Sequence, residues 1–364
     1  DEAEKRIGHL YPKVKVTKEM VRERTDLEQY EGKELIVIAW LWARTVKCPN
    51  PACSKEMPLL SSLVLSAKPG KPKYLNPKIN SKTIHFTVSD NPPQIVTAPE
   101  KGFKRGTSGI FECAFCRTVT TRDYVARQAT ECGLGAIQTA VVVQGNQSRI
   151  YLDPSSSPLP ERIPDADTKE LNVELSPNPR DIWCRNFGLN AVKDLFTPRQ
   201  LVALTTFSDL ALETCKEVEH DALAANLSDD HICLAPGGTG AKAYADAVGL
   251  YVSFAVSKAV DRNTSLCFWE KPMDRLRGTF GRQAIPMVWD YAETNPFAGA
   301  GGDFRGTVHS LCEVLDQFVL PVTPGTGMQL DASTQSLSTN KVVSSDPPYY
   351  DNIGYADLSD FFYV

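Results

Sequence analysis

The chain of 364 residues has no run of apolar residues near the ~18 needed to span a membrane. Its opening stretch, DEAEKRIGHL, is charged where a signal peptide needs an apolar centre. It also has no internal repeat at solenoid or propeller periods. Membrane-spanning, secreted and repeat classes are therefore set aside, and a cytoplasmic protein is the expectation. What remains is ordinary globular composition, 42% hydrophobic and 23% charged. At this length two to three domains are expected.

Net charge is −5, which disfavours indiscriminate coating of nucleic acid, but the sum hides an asymmetry. Between Ser66 and Gly106 lie Lys68, Lys71, Lys73, Lys78, Lys82, Lys101, Lys104 and Arg105 against only Asp90 and Glu100, a local net of +6 that leaves −11 elsewhere. This segment, Lys68 to Arg105, is either a solvated loop face or a surface for phosphates.

Ten cysteines in a chain read as cytoplasmic point to metal ligands and buried small apolar groups before disulfides. Cys48-Pro-Asn-Pro-Ala-Cys53 and Cys113-Ala-Phe-Cys116 form C-x4-C and C-x2-C knuckles separated by 59 residues. Four thiolates from two turns suit tetrahedral Zn²⁺, and a closed set of four cysteines has no open position for substrate, so its role is structural. Cys132, Cys184, Cys215, Cys233, Cys267 and Cys312 stand singly among apolar or helical residues and are expected to fill core.

Residues 1–34 read as an N-terminal helical segment, with one helix closed by Pro12. Residues 35–152 form a zinc-ribbon β module: Leu35 to Val46 is a strand delivering the chain to Cys48, and Thr83 to Val88 is another. A helix follows Cys116 and stops at Gly133, and a hairpin turns at Gly145-Asn146. Residues 153–180, rich in Pro, Ser and acid, read as a linker. Residues 181–321 are mostly helical. Thr197 caps a helix with Pro198 at its first position and Leu201, Leu204, Phe207, Leu210 and Ala211 on one face. A second helix, Ala241 to Val260, is expected to bury Tyr244, Val248, Tyr251 and Ala255, and a third runs from Thr307 to Leu320. Residues 322–364 return to short strands, and both termini read as cuts inside elements of a larger protein.

In the last segment a β-type run, Lys341 to Ser345, leads into Asp346-Pro347-Pro348-Tyr349. A carboxylate and the Pro347 carbonyl can accept the two N–H groups of an exocyclic base amine, and the prolines add no competing donor. Drawing on those protons returns electron density to nitrogen and stabilises the charge that develops when it attacks a methyl group. Tyr349 offers a stacking face, and a base in a duplex must first leave the stack.

With "TVKCPNPAC", "LVALTTFSDL", "FGRQAIPMVWDYAETNPF" and "DPPYYDNIGYADLSDFFYV", the chain resembles adenine-specific DNA methylases that contain a zinc ribbon. The resemblance implies methyl transfer from S-adenosylmethionine to N6 of a flipped adenine in DNA, with Asp346, Pro347, Pro348 and Tyr349 catalytic. It implies a mixed α/β fold: part of a Rossmann-like methyltransferase sheet, with an inserted β-rich zinc ribbon and a mostly helical domain. The "LDAS" segment is similar to the one that contacts the cofactor adenine, which makes Asp331 and Ala332 cofactor candidates. The family's glycine-rich cofactor loop is missing here, and "APGGTG" at Ala235 to Gly240 lacks the Lys-Ser/Thr of a P-loop. The alternatives are a non-catalytic zinc-ribbon module docking on DNA or a partner, and methylation of RNA adenine or cytosine N4.

Overall fold

The computed structural model describes residues 1–96, 98–106, 109–318, 327–347, 350 and 352–363. It is a mixed α/β structure whose sheets are antiparallel. The chain opens with α1 (Glu2–Ile7), β1 (Val14–Lys15), α2 (Lys18–Glu23) and β2 (Glu34–Leu35), β1 and β2 forming a short ribbon. Then comes the long strand β3 (Val37–Lys47), followed by β4 (Glu56–Pro58), β5 (Val64–Ser66), β6 (Lys73–Ile79) and β7 (Ile84–Ser89). After α3 (Arg122–Cys132), β8 (Gly135–Gln144) and β9 (Arg149–Leu152) make the expected hairpin.

Strand β3 organises the molecule. Ten of its eleven residues are apolar or shielded, because it has a sheet neighbour on each edge and a core on each face. Bulges beside Ile38 and between Leu41 and Trp42 reset its alternation. Ile38, Ala39, Leu41 and Ala43 thus join one core with Leu75 and Phe86 of the β5–β6–β7 sheet, while Val37 and Trp40 join another with Leu10, Leu27, Val141 and Phe207.

The second half of the chain supplies α4 (Pro198–Ala224), α5 (Ala241–Val260), the ribbon β10 (Phe268–Glu270) and β11 (Arg275–Arg277), β12 (Asp290–Thr294), α6 (Phe304–Asp316) and α7 (Tyr355–Tyr363). The central sheet runs β12-β3-β8-β9, with β4 on the remainder of the β12 edge of β3. A strand from the segment expected to be helical therefore completes the sheet of the β module. The stretch 153–180 carries little regular structure but packs closely: Trp40 Nε1 donates to the buried Ser157 hydroxyl at 3.0 Å, and Leu175 enters the core beneath α7.

Thr197 caps α4 through a reciprocal bond with Gln200, and Leu204, Phe207 and Ala211 are buried as expected. The face expected for α5 is only partly the buried one: Ala255 is inside and Val248 half-buried, but the two tyrosines are not. Tyr244 is 55% exposed and Tyr251 also faces out, whereas Ala241, Ala243, Ala245, Gly249, Ala255 and Ala259 lie inside. Small residues bring α5 close to α4; a Cβ added at Gly249 would sit 2.1 Å from Cys215 Sγ. Helix α6 begins earlier than expected because Asp303 caps it, accepting from Gly306 N at 2.6 Å.

At the other end, Lys341 to Ser345 forms no strand. Val342 is fully exposed, so its β-branched side chain finds neither sheet partner nor core. Helix α7 beyond it is docked by Leu358 and Phe361 against Leu175, Ile182 and Leu189.

Candidate metal centre

Each knuckle is a tight turn, the first fed by β3 and the second by a stretch held only by the isolated bridges Lys104–Phe111 and Glu112–Val119. Cys48 follows β3, its N–H bonded to Lys55 O at 2.8 Å, and Asn50 O accepts from the N–H groups of Cys53 and Ser54, both at 2.9 Å. In the second knuckle, Cys113 N donates to Thr118 O at 2.8 Å and Arg117 N to Cys113 O at 2.9 Å. The residue after the second cysteine of each turn is left-handed, Ser54 with φ 48° and Arg117 with φ 66°. Two turns of the same design thus face each other.

They bring all four thiols together. Cys48 and Cys116 Sγ are 3.5 Å apart, Cys53 and Cys113 Sγ 3.9 Å, and the four sulfurs lie within 4.8 Å of one another. Tetrahedral ligands with bonds of ~2.3 Å would have sulfurs ~3.8 Å apart, so the group could hold a single metal ion. Burial pushes the Cys48 and Cys113 thiols up, which disfavours thiolates there without a cation. At Cys116 burial acts in the same direction, but hydrogen bonding with Thr118 and then with Cys48 and Cys53 outweighs it and brings the thiol to about 6. Thr118 Oγ1 lies 3.3 Å from that sulfur and accepts from Asn50 Nδ2 at 3.4 Å, tying one knuckle to the other.

Behind the thiols lies a core of Val46, Met57, Leu59, Phe111, Val125, Ala129, Phe187 and Trp289. Helix α3 contributes Val125 and Ala129, is capped by Thr121 and is anchored by Tyr124, whose hydroxyl donates to Lys47 O at 3.0 Å. Of the six other cysteines, Cys184 and Cys267 are buried and Cys215 half-buried, as core filling requires; Cys132, Cys233 and Cys312 are exposed, contrary to expectation. They stand on the outer faces or flanking loops of their helices, where helical surroundings do not imply burial.

The remaining expected site residues are dispersed. Asp346 and Pro347 are exposed, and Asp346 forms no hydrogen bond or ion pair among the described residues; Pro348 and Tyr349 lie outside the described residues. Asp331 Oδ1 accepts from Ser333 N at 2.8 Å and Ser333 Oγ at 2.6 Å, a local turn that holds its carboxyl below the usual range, and Ala332 is exposed beside it. The amides near "APGGTG" are already satisfied, with Thr239 N donating to Asp230 Oδ2 at 2.9 Å and Lys242 N to Asp229 Oδ1 at 3.2 Å. That loop is closed by acids and is no anion cradle.

Within the basic segment, Lys68 pairs with Asp274, Lys73 with Asp90 and Arg105 with Glu112. Lys71, Lys78, Lys82 and Lys101 are exposed and make no ion pair among the described residues. Two features were not foreseen from sequence: a buried Arg199–Glu293 pair, and a cavity whose lining includes Lys271 and Asp290. Both join residues far apart in the chain, and only the apolar, β-type character of the run around Asp290 hinted at a buried strand.

No family model matches the chain, and no curated protein or solved structure matches it. No helix among the described residues is long and apolar enough to cross a membrane.

Proposed function

We propose that the chain belongs to an S-adenosylmethionine-dependent DNA methyltransferase acting on adenine N6, and that the residues described here supply its zinc-stabilised, DNA-engaging part. The observation that carries the reading is the Asp346-Pro347-Pro348-Tyr349 tetrapeptide directly before a docked helix, α7. Asp346, exposed and without a partner among the described residues, can accept a hydrogen bond from a base amine, and Pro347 supplies a second acceptor with no donor. Cys48, Cys53, Cys113 and Cys116 could together hold a metal ion, and a zinc ion there would have its coordination closed and a structural task.

The described residues do not build a cofactor cradle. Asp331 Oδ1 is engaged by Ser333, and the strand expected before Asp346 is absent, so a Rossmann-like sheet belongs to the proposal and not to the observed fold. That observation favours a second reading, in which these residues dock on DNA or a partner without catalysing.

Incubating the full-length natural protein with S-adenosylmethionine and unmethylated DNA, then analysing nucleosides by mass spectrometry, tests the first reading. N6-methyladenine that disappears in Asp346→Ala is expected. Product on cytosine N4 or on RNA, or undiminished activity in Asp346→Ala, sinks it. Calorimetry of this chain with S-adenosylmethionine separates the readings: no heat of binding together with salt-sensitive DNA affinity supports the docking module.

A further inference from the structure

A cavity of 430 Å³ opens beside the Asp290 end of β12, bounded by the β10–β11 ribbon and the loop after β4. Its size falls within the ~300–1,000 Å³ of small-ligand sites. Lys104, Lys271, Arg277 and Arg282 line it against a single carboxylate, Asp290, in a chain whose net charge is −5. Internal partners do not consume these cations. The Lys271 and Arg277 side chains make no hydrogen bond or ion pair among the described residues, and Arg282 rests over the Trp183 ring at 5.4 Å. Asp290 is itself occupied, its Oδ1 accepting from the Ser61 hydroxyl.

A largely buried ammonium with no hydrogen-bond acceptor among the described residues is costly unless something enters to pair with it, and burial pushes Lys271 down as Asp290 partly restores it. Two guanidinium groups in the same lining, Arg277 and Arg282, offer planar forks that match phosphate oxygens. Phe268 forms part of the same wall and is 38% exposed, a flat apolar face next to the cations. A ligand that satisfies both features carries a compact anion and a flat ring in one molecule.

We propose that this cavity binds a nucleotide unit, its phosphate on Lys271, Arg277 and Arg282 and its base against Phe268. The unit is either a free nucleotide or one residue of a single strand, which present the same chemistry. The proposal stands apart from methyl transfer, since no described residue from 327 onward lines the cavity.

Anisotropy of a fluorescein-labelled single-stranded oligonucleotide, with competition by unlabelled dAMP and by inorganic phosphate, tests it. Binding is expected, weakened roughly tenfold or more in Lys271→Met and in the double variant Arg277→Met/Arg282→Met, as loss of charged hydrogen bonds implies. Phe268→Leu is expected to lose about fivefold or more for ligands that carry a base and to leave phosphate competition unchanged. Lys18→Met/Lys216→Met, which removes two exposed charges outside both the cavity lining and the basic segment, changes affinity little. Competition by dAMP identifies the free nucleotide as sufficient, and its failure alongside oligonucleotide binding identifies the strand; either supports the proposal. No binding of oligonucleotide or dAMP overturns it, as does an equal loss in the Lys18/Lys216 variant or an unaltered Phe268→Leu. Methylation assays read neither result, so this proposal and the enzymatic one fail separately.

Discussion

At the scale of single residues, the main internal device is the Arg199–Glu293 pair, whose side chains are 2% and 3% exposed. Arg199 Nη2 donates to Glu293 Oε2 at 2.8 Å and Nη1 to Leu10 O at 3.1 Å, and the guanidinium lies 3.8 Å from the centre of the Trp40 ring. Glu293 also accepts from Trp42 Nε1 at 3.0 Å and Thr197 Oγ1 at 2.6 Å. Removing one partner strands the other charge, so Glu293→Ala should lower unfolding stability by ~3–5 kcal/mol in a denaturant titration. Arg199→Met/Glu293→Leu should recover much of that loss. A second residue carries a pH signature. Burial raises the Asp290 carboxyl, so the folded state holds its proton more tightly than the unfolded chain does. Stability from this group is then greatest below the ordinary aspartate range of ~3.9 and declines as pH rises through the folded value. Asp290→Asn should therefore melt at a higher temperature than the parent at neutral pH, the gap closing in acid. The cysteine quartet was legible because its signal is local spacing; these groups were not, because each depends on a partner distant in sequence.

Among the elements, legibility followed capping and periodicity where large apolar residues do the packing. Thr197-Pro198 marks the start of α4, and Gly133, with φ 77°, ends α3 as the sequence suggests. The same reasoning holds for Ala255 of α5 but fails for Tyr244 and Tyr251, because bulk is not what is buried there. Here alanines and Gly249 make the contact with α4, and the rings of Tyr244, Tyr251 and Phe254 point outward. Gly249→Val should force the two helices apart against Cys215 and cost ~1–3 kcal/mol, read as a shifted denaturation midpoint. The β-branched run before Asp346 misled for a related reason: propensity alone makes no strand without a neighbouring strand or a core. Helix α3 has the opposite situation, since its buried side rests on the core behind the four thiols. Adding a metal chelator, or Cys113→Ser, should raise amide exchange across Arg122–Cys132 and the Trp183–Phe187 turn far more than across α4.

For the whole molecule, the mixed α/β class and the β-rich first half were readable, but the topology was not. Nothing in "MVWDYAET" announces that it pairs with a strand some 250 residues earlier; Trp42 and Glu293 are 251 apart. Charge is likewise a global property, and pairing reduces what the basic segment can offer. With Lys68, Lys73 and Arg105 engaged internally, DNA binding through this face should lean on Lys71, Lys78, Lys82 and Lys101. The logarithm of its affinity should then fall against log salt with a slope of at most about −4, using ~0.9 per phosphate contact. A much steeper slope, or none, would contradict a role for this surface.

The placement of β12 also bears on how the protein is made. Until residue 294 has been synthesised, β3 is an apolar strand with much of one edge open, and Arg199 is a charge awaiting its counterpart. A nascent chain in that condition presents a template for pairing with its neighbours. Truncations ending before Asp290 should accumulate as aggregates and not as a soluble ribbon, so the last strand of the sheet acts as a checkpoint on completion of synthesis.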